Sequence, residues 1–138
     1  TPRAAVRHAA ALVVPSEATA REVRRFAGGS ADDFHVAHHG VDTLLFRPPG
    51  ASEIERVRRG LGLADRSYVA FLGTLEPRKN VPALVRGWAR AVQDRPDPPA
   101  LVLAGGRGWD EEVEPTVAAV DPRLTVLRPG YFPLTDLA

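Results

Sequence analysis

The sequence predicts an α/β chain: a parallel sheet with helices packed against it. Three observations carry that expectation. Short apolar runs recur at residues 68–72, 100–104 and 124–127, and they are continuous rather than alternating, as strands buried on both faces are. Between them lie stretches whose apolar residues fall three and four apart, the spacing of a one-sided helix. Each run leads to a glycine, at Gly73, Gly105 and Gly130. Right-handed crossovers would bring these three loops to one edge of a doubly wound sheet. That is the carboxyl edge, where such sheets take ligands.

Each element has its own justification. Residues 3–10 read as the end of a helix, and the apolar run 11–15 as a short strand. Ser16 is a good N-cap for a helix from Glu17 to Ala27 that turns Ala20, Val23 and Phe26 to one side, and Gly28-Gly29 stops it. Residues 34–37 return as a strand. His38-His39-Gly40-Val41-Asp42 turns away, and 43–50 is extended, ending in Pro48-Pro49-Gly50. A domain boundary is expected here, between 1–42 and 43–138. Residues 52–60 form a short helix with Ile54, Val57 and Leu61 inward and Arg56, Arg58 and Arg59 as a solvated face. After the strand 68–72, Val81, Leu84, Val85, Trp88, Ala89 and Val92 mark an amphipathic helix. Residues 93–99 are a turn, 100–104 the second strand, and Gly105-Gly106-Arg107-Gly108 a flexible exit. Pro115 is tolerated only in a first helical turn, so the next helix begins near Glu112 with Val113, Val117 and Val120 inward. The third strand is 124–127, a loop occupies 129–133, and Thr135-Asp136 caps one more helix.

Composition narrows the function. The chain has 138 residues, 44% hydrophobic and 25% charged, with a net charge of +1. Neither half is a polycation, so there is no electrostatic footprint for nucleic acid. No cysteine is present, which removes disulfide and thiolate chemistry and fits a cytoplasmic protein. No apolar run approaches the roughly 18 residues of a membrane span. The sequence opens Thr1-Pro2-Arg3, without Met or a signal-peptide pattern, and reads as a fragment of something longer.

The chemistry concentrates in Gly73-Thr74-Leu75-Glu76-Pro77-Arg78-Lys79-Asn80. A strand, a glycine loop and a helix N-terminus in that order suit an anion. Arg grips phosphate in a bidentate way, whereas Lys acts as a point charge. Of 18 Lys and Arg residues, Lys79 is the only lysine. The spacing matches neither Walker A nor the dinucleotide fingerprint. For Gly105-Gly106-Arg107-Gly108 a ligand role and a plain turn stand about even, and Tyr131 either stacks on a base or packs. His38 and His39 are adjacent in an extended segment and point opposite ways. No third ligand is evident, so a structural role is expected and no metal. Asp110, Glu111, Glu112 and Glu114 suit a helix start. No Ser-His-Asp set or supported carboxylate pair is present, and no catalytic residue is assigned.

The ordered blocks resemble a family. Val14-Pro15-Ser16-Glu17, His39-Gly40-Val41-Asp42 with Phe46-Arg47-Pro48, the stretch Phe71 to Asn80, Leu101 to Gly105 and Gly130-Tyr131 are similar to consecutive blocks of retaining glycosyltransferases of family 4. The resemblance implies a partial GT-B fold made of Rossmann-like domains. Residues 1–42 would be the end of an acceptor-binding N-terminal domain and the interdomain link. Residues 43–138 would be the first half of a donor-binding domain. It implies that Gly73, Thr74, Arg78 and Lys79 bind a donor diphosphate and that Gly105, Tyr131 and Pro133 lie at the nucleotide. Many members carry Arg after the loop glycine, where this chain has Thr74. The wording Leu75-Glu76-Pro77-Arg78-Lys79-Asn80 is similar to a mannosyltransferase-like branch, which points to GDP-mannose as donor. The nucleotide-sugar is then a substrate, and no cofactor is expected. The family's Glu motif that contacts the sugar, its N-terminal glycine loop and its active-site histidine have no counterparts here. The 138-residue chain is therefore expected to be inactive alone, although its parent would transfer a sugar, mannose by the branch wording, to an acceptor. Three strands of a larger sheet leave an edge, so self-association or completion by another chain is expected. The full-length protein would be cytoplasmic and at most membrane-peripheral. The alternative is a non-catalytic nucleotide- or phosphate-binding module acting with a partner chain.

Overall fold

A computed structural model describes residues 1–136. It divides into two compact units, Thr1–Thr43 and the chain from Leu44 onward.

In the first unit, α1 (Pro2–His8) is capped by the Thr1 hydroxyl, which accepts from the Ala4 amide at 3.4 Å. Strand β1 (Leu12–Val14) leads to α2 (Glu17–Ala27), where the Ser16 hydroxyl accepts from the Thr19 amide at 3.1 Å. Gly28, at φ 84°, ends that helix. Strand β2 (Phe34–Val36) then pairs in parallel with β1. Ala20 and Val14 are buried, but Phe26 is 66% exposed. Phe26, on the same side of the helix by spacing, lies out in solvent with the Arg25 guanidinium 5.4 Å from its ring.

The second unit opens with α3 (Ala51–Gly60), one residue earlier than predicted. Glu53 accepts the Gly50 amide at 2.7 Å and pairs with Arg47 at 2.8 Å. The guanidinium contact and the Gly50 amide hold the Glu53 carboxyl below the usual carboxylate range. The arginines of α3 are not uniformly a solvated face. Arg59 pairs with Glu55 within the helix, but Arg56 reaches Asp136 at 2.7 Å. Arg58 donates to the Ala64 and Arg66 carbonyls at 2.9 and 2.8 Å, pinning the chain ahead of the sheet.

Strands β3 (Tyr68–Leu72), β4 (Ala100–Ala104) and β5 (Val126–Gly130) form a parallel sheet in the order β3-β4-β5. The connections are α4 (Val81–Val92) and α5 (Val113–Ala118). All five residues of central β4 are buried. Leu101 and Leu103 meet Val81, Val85, Trp88, Val92 and Val113 on one face. Ala100 and Val102 pack with Leu63 on the other. The third strand was expected over 124–127. It starts at Val126 and runs on to Gly130, with a shift in the β4–β5 register between Val102 and Ala104. Leu124 is buried in the core ahead of the strand, and Pro129 lies inside it. An edge strand tolerates proline because one row of its backbone groups needs no partner. After β5 the chain makes a 3-10 turn at Leu134–Asp136; a helix capped by Thr135-Asp136 would lie outside the described residues. Among the described residues no helix is long and apolar enough to cross a membrane.

Candidate functional site

The carboxyl ends of β3, β4 and β5 are laced together by backbone hydrogen bonds. The Gly73 amide donates to the Ala104 carbonyl at 2.9 Å, Leu75 to Gly106 at 3.1 Å, and Gly105 to Gly130 at 2.7 Å. The Leu75 carbonyl accepts from both Trp109 at 3.1 Å and Asp110 at 3.2 Å. Glycine is required at two of these points. Gly105 has φ 133°, and a Cβ there would overlap the Gly73 carbonyl; Gly108 has φ 63°, and a Cβ there would overlap the carbonyl of Leu75. The open choice for this loop is thereby narrowed: Gly105 and Gly108 let two backbones touch.

Gly73 differs. Its φ is 150°, and a Cβ would lie 2.8 Å from Lys79 Nζ. The lysine side chain thus folds back over the glycine, and its ammonium stands at the end of β3. Pro77, Arg78 and Lys79 are not loop, as expected, but one 3-10 turn, followed by Asn80 at φ 48° and ψ 44°. That turn reverses the chain and carries Lys79 back toward Gly73.

The helix terminus contributes less than the sequence indicated. Pro82 has no amide proton. The Ala83 and Leu84 amides already donate to the Asn80 carbonyl at 3.1 and 3.3 Å. Little of the first turn of α4 is left to donate to a ligand, so the positive character of the site rests on side chains.

Sequence reasoning missed Glu76. Its carboxylate accepts from Arg78 Nε at 2.6 Å and lies 3.7 Å from Lys79 Nζ. The Glu76 side chain is only 13% exposed, against 75% for Arg78 and 23% for Lys79. One carboxylate between two cations leaves a single net positive charge. The alternation Glu76-Pro77-Arg78-Lys79 was the available signal.

The fold brings Gly73, Thr74, Lys79 and Gly105 together. Arg78 lies alongside but reaches outward to Glu76. Tyr131 and Pro133 are exposed beyond the end of β5, with Tyr131 82% exposed. His38 and His39 are exposed in the first unit, and no cluster of metal-ligating side chains occurs among the described residues. The acidic stretch serves its helix: Asp110 accepts the Glu112 amide at 3.1 Å, and Glu114 pairs with Arg128.

No protein-family model matches the chain. It is 33% identical over 108 residues to a D-inositol 3-phosphate glycosyltransferase of Acidothermus cellulolyticus, covering 75% of this chain and 23% of that protein. It is 32% identical over 91 residues to the O-antigen chain mannosyltransferase B of Escherichia coli, covering 65% and 24%. The chain is a relative of glycosyltransferases. It spans about a quarter of the length of these curated relatives. Its fold is that of Anabaena HepE in complex with UDP-glucose, at a TM-score of 0.74 and 24% identity, over 96% of this chain and 36% of that one. The parallel sheets and flanking helices are thus part of a GT-B architecture.

Proposed function

We propose that this chain is the part of a nucleotide-sugar-dependent glycosyltransferase that holds the donor diphosphate. The observation that carries the proposal is the ammonium of Lys79 folded over Gly73 at the carboxyl end of β3. Gly73 admits a phosphate close to the backbone, and the Thr74 hydroxyl and amide flank it. Lys79 supplies a positive charge, and Arg78 a second once the phosphate competes with Glu76 for it. Gly105, Tyr131 and Pro133 follow as the nucleotide end of the site. Lys79 and Arg78 provide the counter-charge in this reading, and no metal or cofactor is invoked. A nucleotide-sugar donor also implies a cytoplasmic setting.

Among the relatives, two named mannosyltransferases support mannose as the transferred sugar, one of them called GDP-mannose-dependent. The HepE complex with UDP-glucose supports a uridine donor instead. Titration of GDP, UDP and dTDP by calorimetry decides between them. Lys79→Ala removes a charged hydrogen bond, and the expected cost is about 1.5–3 kcal/mol, up to about 100-fold in affinity. Equal affinity of the variant and the wild type would discard the diphosphate assignment. The 138-residue chain is expected to bind donor without turning it over, because transition-state stabilisation requires groups around the whole transferred sugar. Robust transfer by the purified chain would refute that.

A further inference from the structure

Trp109 stands at the rim of the same site, and nothing so far gives it a role. It is 68% exposed, which is unusual for the largest apolar side chain. Its backbone is anything but loose. The Trp109 amide is bonded to the Leu75 carbonyl at 3.1 Å, and the next amide shares that oxygen. Gly108 lies against Leu75 so closely that no other residue fits. Leu75 is itself 5% exposed and lies between Thr74 and Glu76. The indole is therefore carried on a backbone locked to the middle of the Gly73–Lys79 stretch, with its side chain left in solvent.

Two other exposed aromatics, Phe26 and Tyr68, each have an arginine over the ring, at 5.4 and 5.8 Å. Among the described residues Trp109 has no such cover and no hydrogen bond from its indole. Of the neighbouring acidic groups, Asp110 accepts the Glu112 amide and Glu114 pairs with Arg128. An exposed indole whose backbone is bonded to the stretch that carries Lys79 fits one kind of ligand: a flat ring attached to a diphosphate. A pre-positioned aromatic loses little freedom on binding, and its face takes a base or the C–H face of a sugar with little regard to identity.

We infer that Trp109 is a ligand-contacting residue whose indole stacks on a ring of the diphosphate ester held by Lys79. The inference rests on the diphosphate reading above. Base and sugar share this chemistry, and the probes separate them. Inorganic pyrophosphate has no ring, GDP and UDP have a base, and GDP-mannose and UDP-glucose add a hexose.

The test titrates these probes against the full 138-residue wild type, Trp109→Ala, Trp109→Phe and Lys79→Ala. The chain has two tryptophans, and Trp88 is 6% exposed with its indole N–H on the Pro99 carbonyl at 3.2 Å. Trp88 emission therefore reports the fold of each variant, and the red-shifted emission of Trp109 reports the ligand. Expected results are quenching of that red-shifted emission and a loss in Trp109→Ala of about 5- to 100-fold for ring-bearing probes. Pyrophosphate affinity should be unchanged, and Trp109→Phe should keep most of the binding. A loss for the nucleoside diphosphates identifies the ring as the base; a loss confined to the nucleotide-sugars identifies it as the hexose. Nucleotide binding that depends on Lys79 but is equal in Trp109→Ala overturns the inference and leaves the diphosphate reading standing. A parallel loss of pyrophosphate affinity in Trp109→Ala also overturns it, since the indole would then only shape the loop. Failure of every probe to bind the wild type ends both.

Discussion

At the scale of single residues, the site depends on where a Cβ cannot go. Gly73 gives way to Lys79, whereas Gly105 and Gly108 give way to backbone. The consequences differ. Gly105→Ala forces a left-handed residue against a carbonyl that cannot move, and a destabilisation of at least about 1–3 kcal/mol is expected by denaturant titration. Gly73→Ala meets the mobile end of a lysine, so the ammonium should be displaced and phosphate affinity should fall, as in Lys79→Ala. Gly87 is the contrasting case: it is exposed inside α4 with nothing within 4 Å of a Cβ. Gly87→Ala should raise stability by about 0.5–1 kcal/mol. The sequence marks all of these simply as glycines. Only their neighbours in space separate a ligand-facing glycine from a packing glycine.

At the scale of elements, α4 holds the cradle in place. Val81 and Val85 are fully buried, and Trp88 and Val92 nearly so, against Leu101 and Leu103 of β4. Leu101→Ala should cost about 2–5 kcal/mol in denaturant unfolding. The sequence announced this helix through its three-and-four spacing, and the structure has it where expected. The helix start was less legible. Asn80 precedes the helix with a left-handed backbone after a 3-10 turn and makes no side-chain cap bond, and Pro82 removes a donor. Between α5 and β5, Arg128 beside Glu114 holds that carboxyl below the usual carboxylate range. A carboxyl with a lowered folded pKa stabilises above its unfolded value of about 4, and the contribution is lost as the pH falls through the folded value. Both side chains are partly exposed, so the effect on stability is small and carboxyl chemical shifts read it better. In Arg128→Ala, the Glu114 carboxyl should titrate nearer the ordinary value; an unchanged titration would show that the pair does not hold in solution.

At the scale of the whole molecule, the three-stranded sheet has two edges. Among the described residues β3 pairs only with β4, and Tyr68, Val69 and Leu72 are 46%, 42% and 58% exposed. The sheet face toward α3 is incompletely covered, leaving a cavity of about 470 Å3 beside Tyr68, Ala70, Leu72 and Val102. Open strands and apolar surface favour pairing with another chain. Self-association should appear in light scattering as concentration rises, and Val69→Lys should weaken it; a strictly monomeric mass throughout would reject the expectation. The sequence by itself determined the α/β class, the parallel sheet, the order of its elements and the basic stretch after β3. Those follow from periodicity and from glycine after an apolar run, which are local properties of a chain. Tertiary structure alone decided that Gly105 and Gly108 press on the β3 loop and that Trp109 has a fixed backbone yet lies exposed. Each depends on which backbone lies within a few ångströms of which, and residues thirty apart in sequence carry no local sign of that.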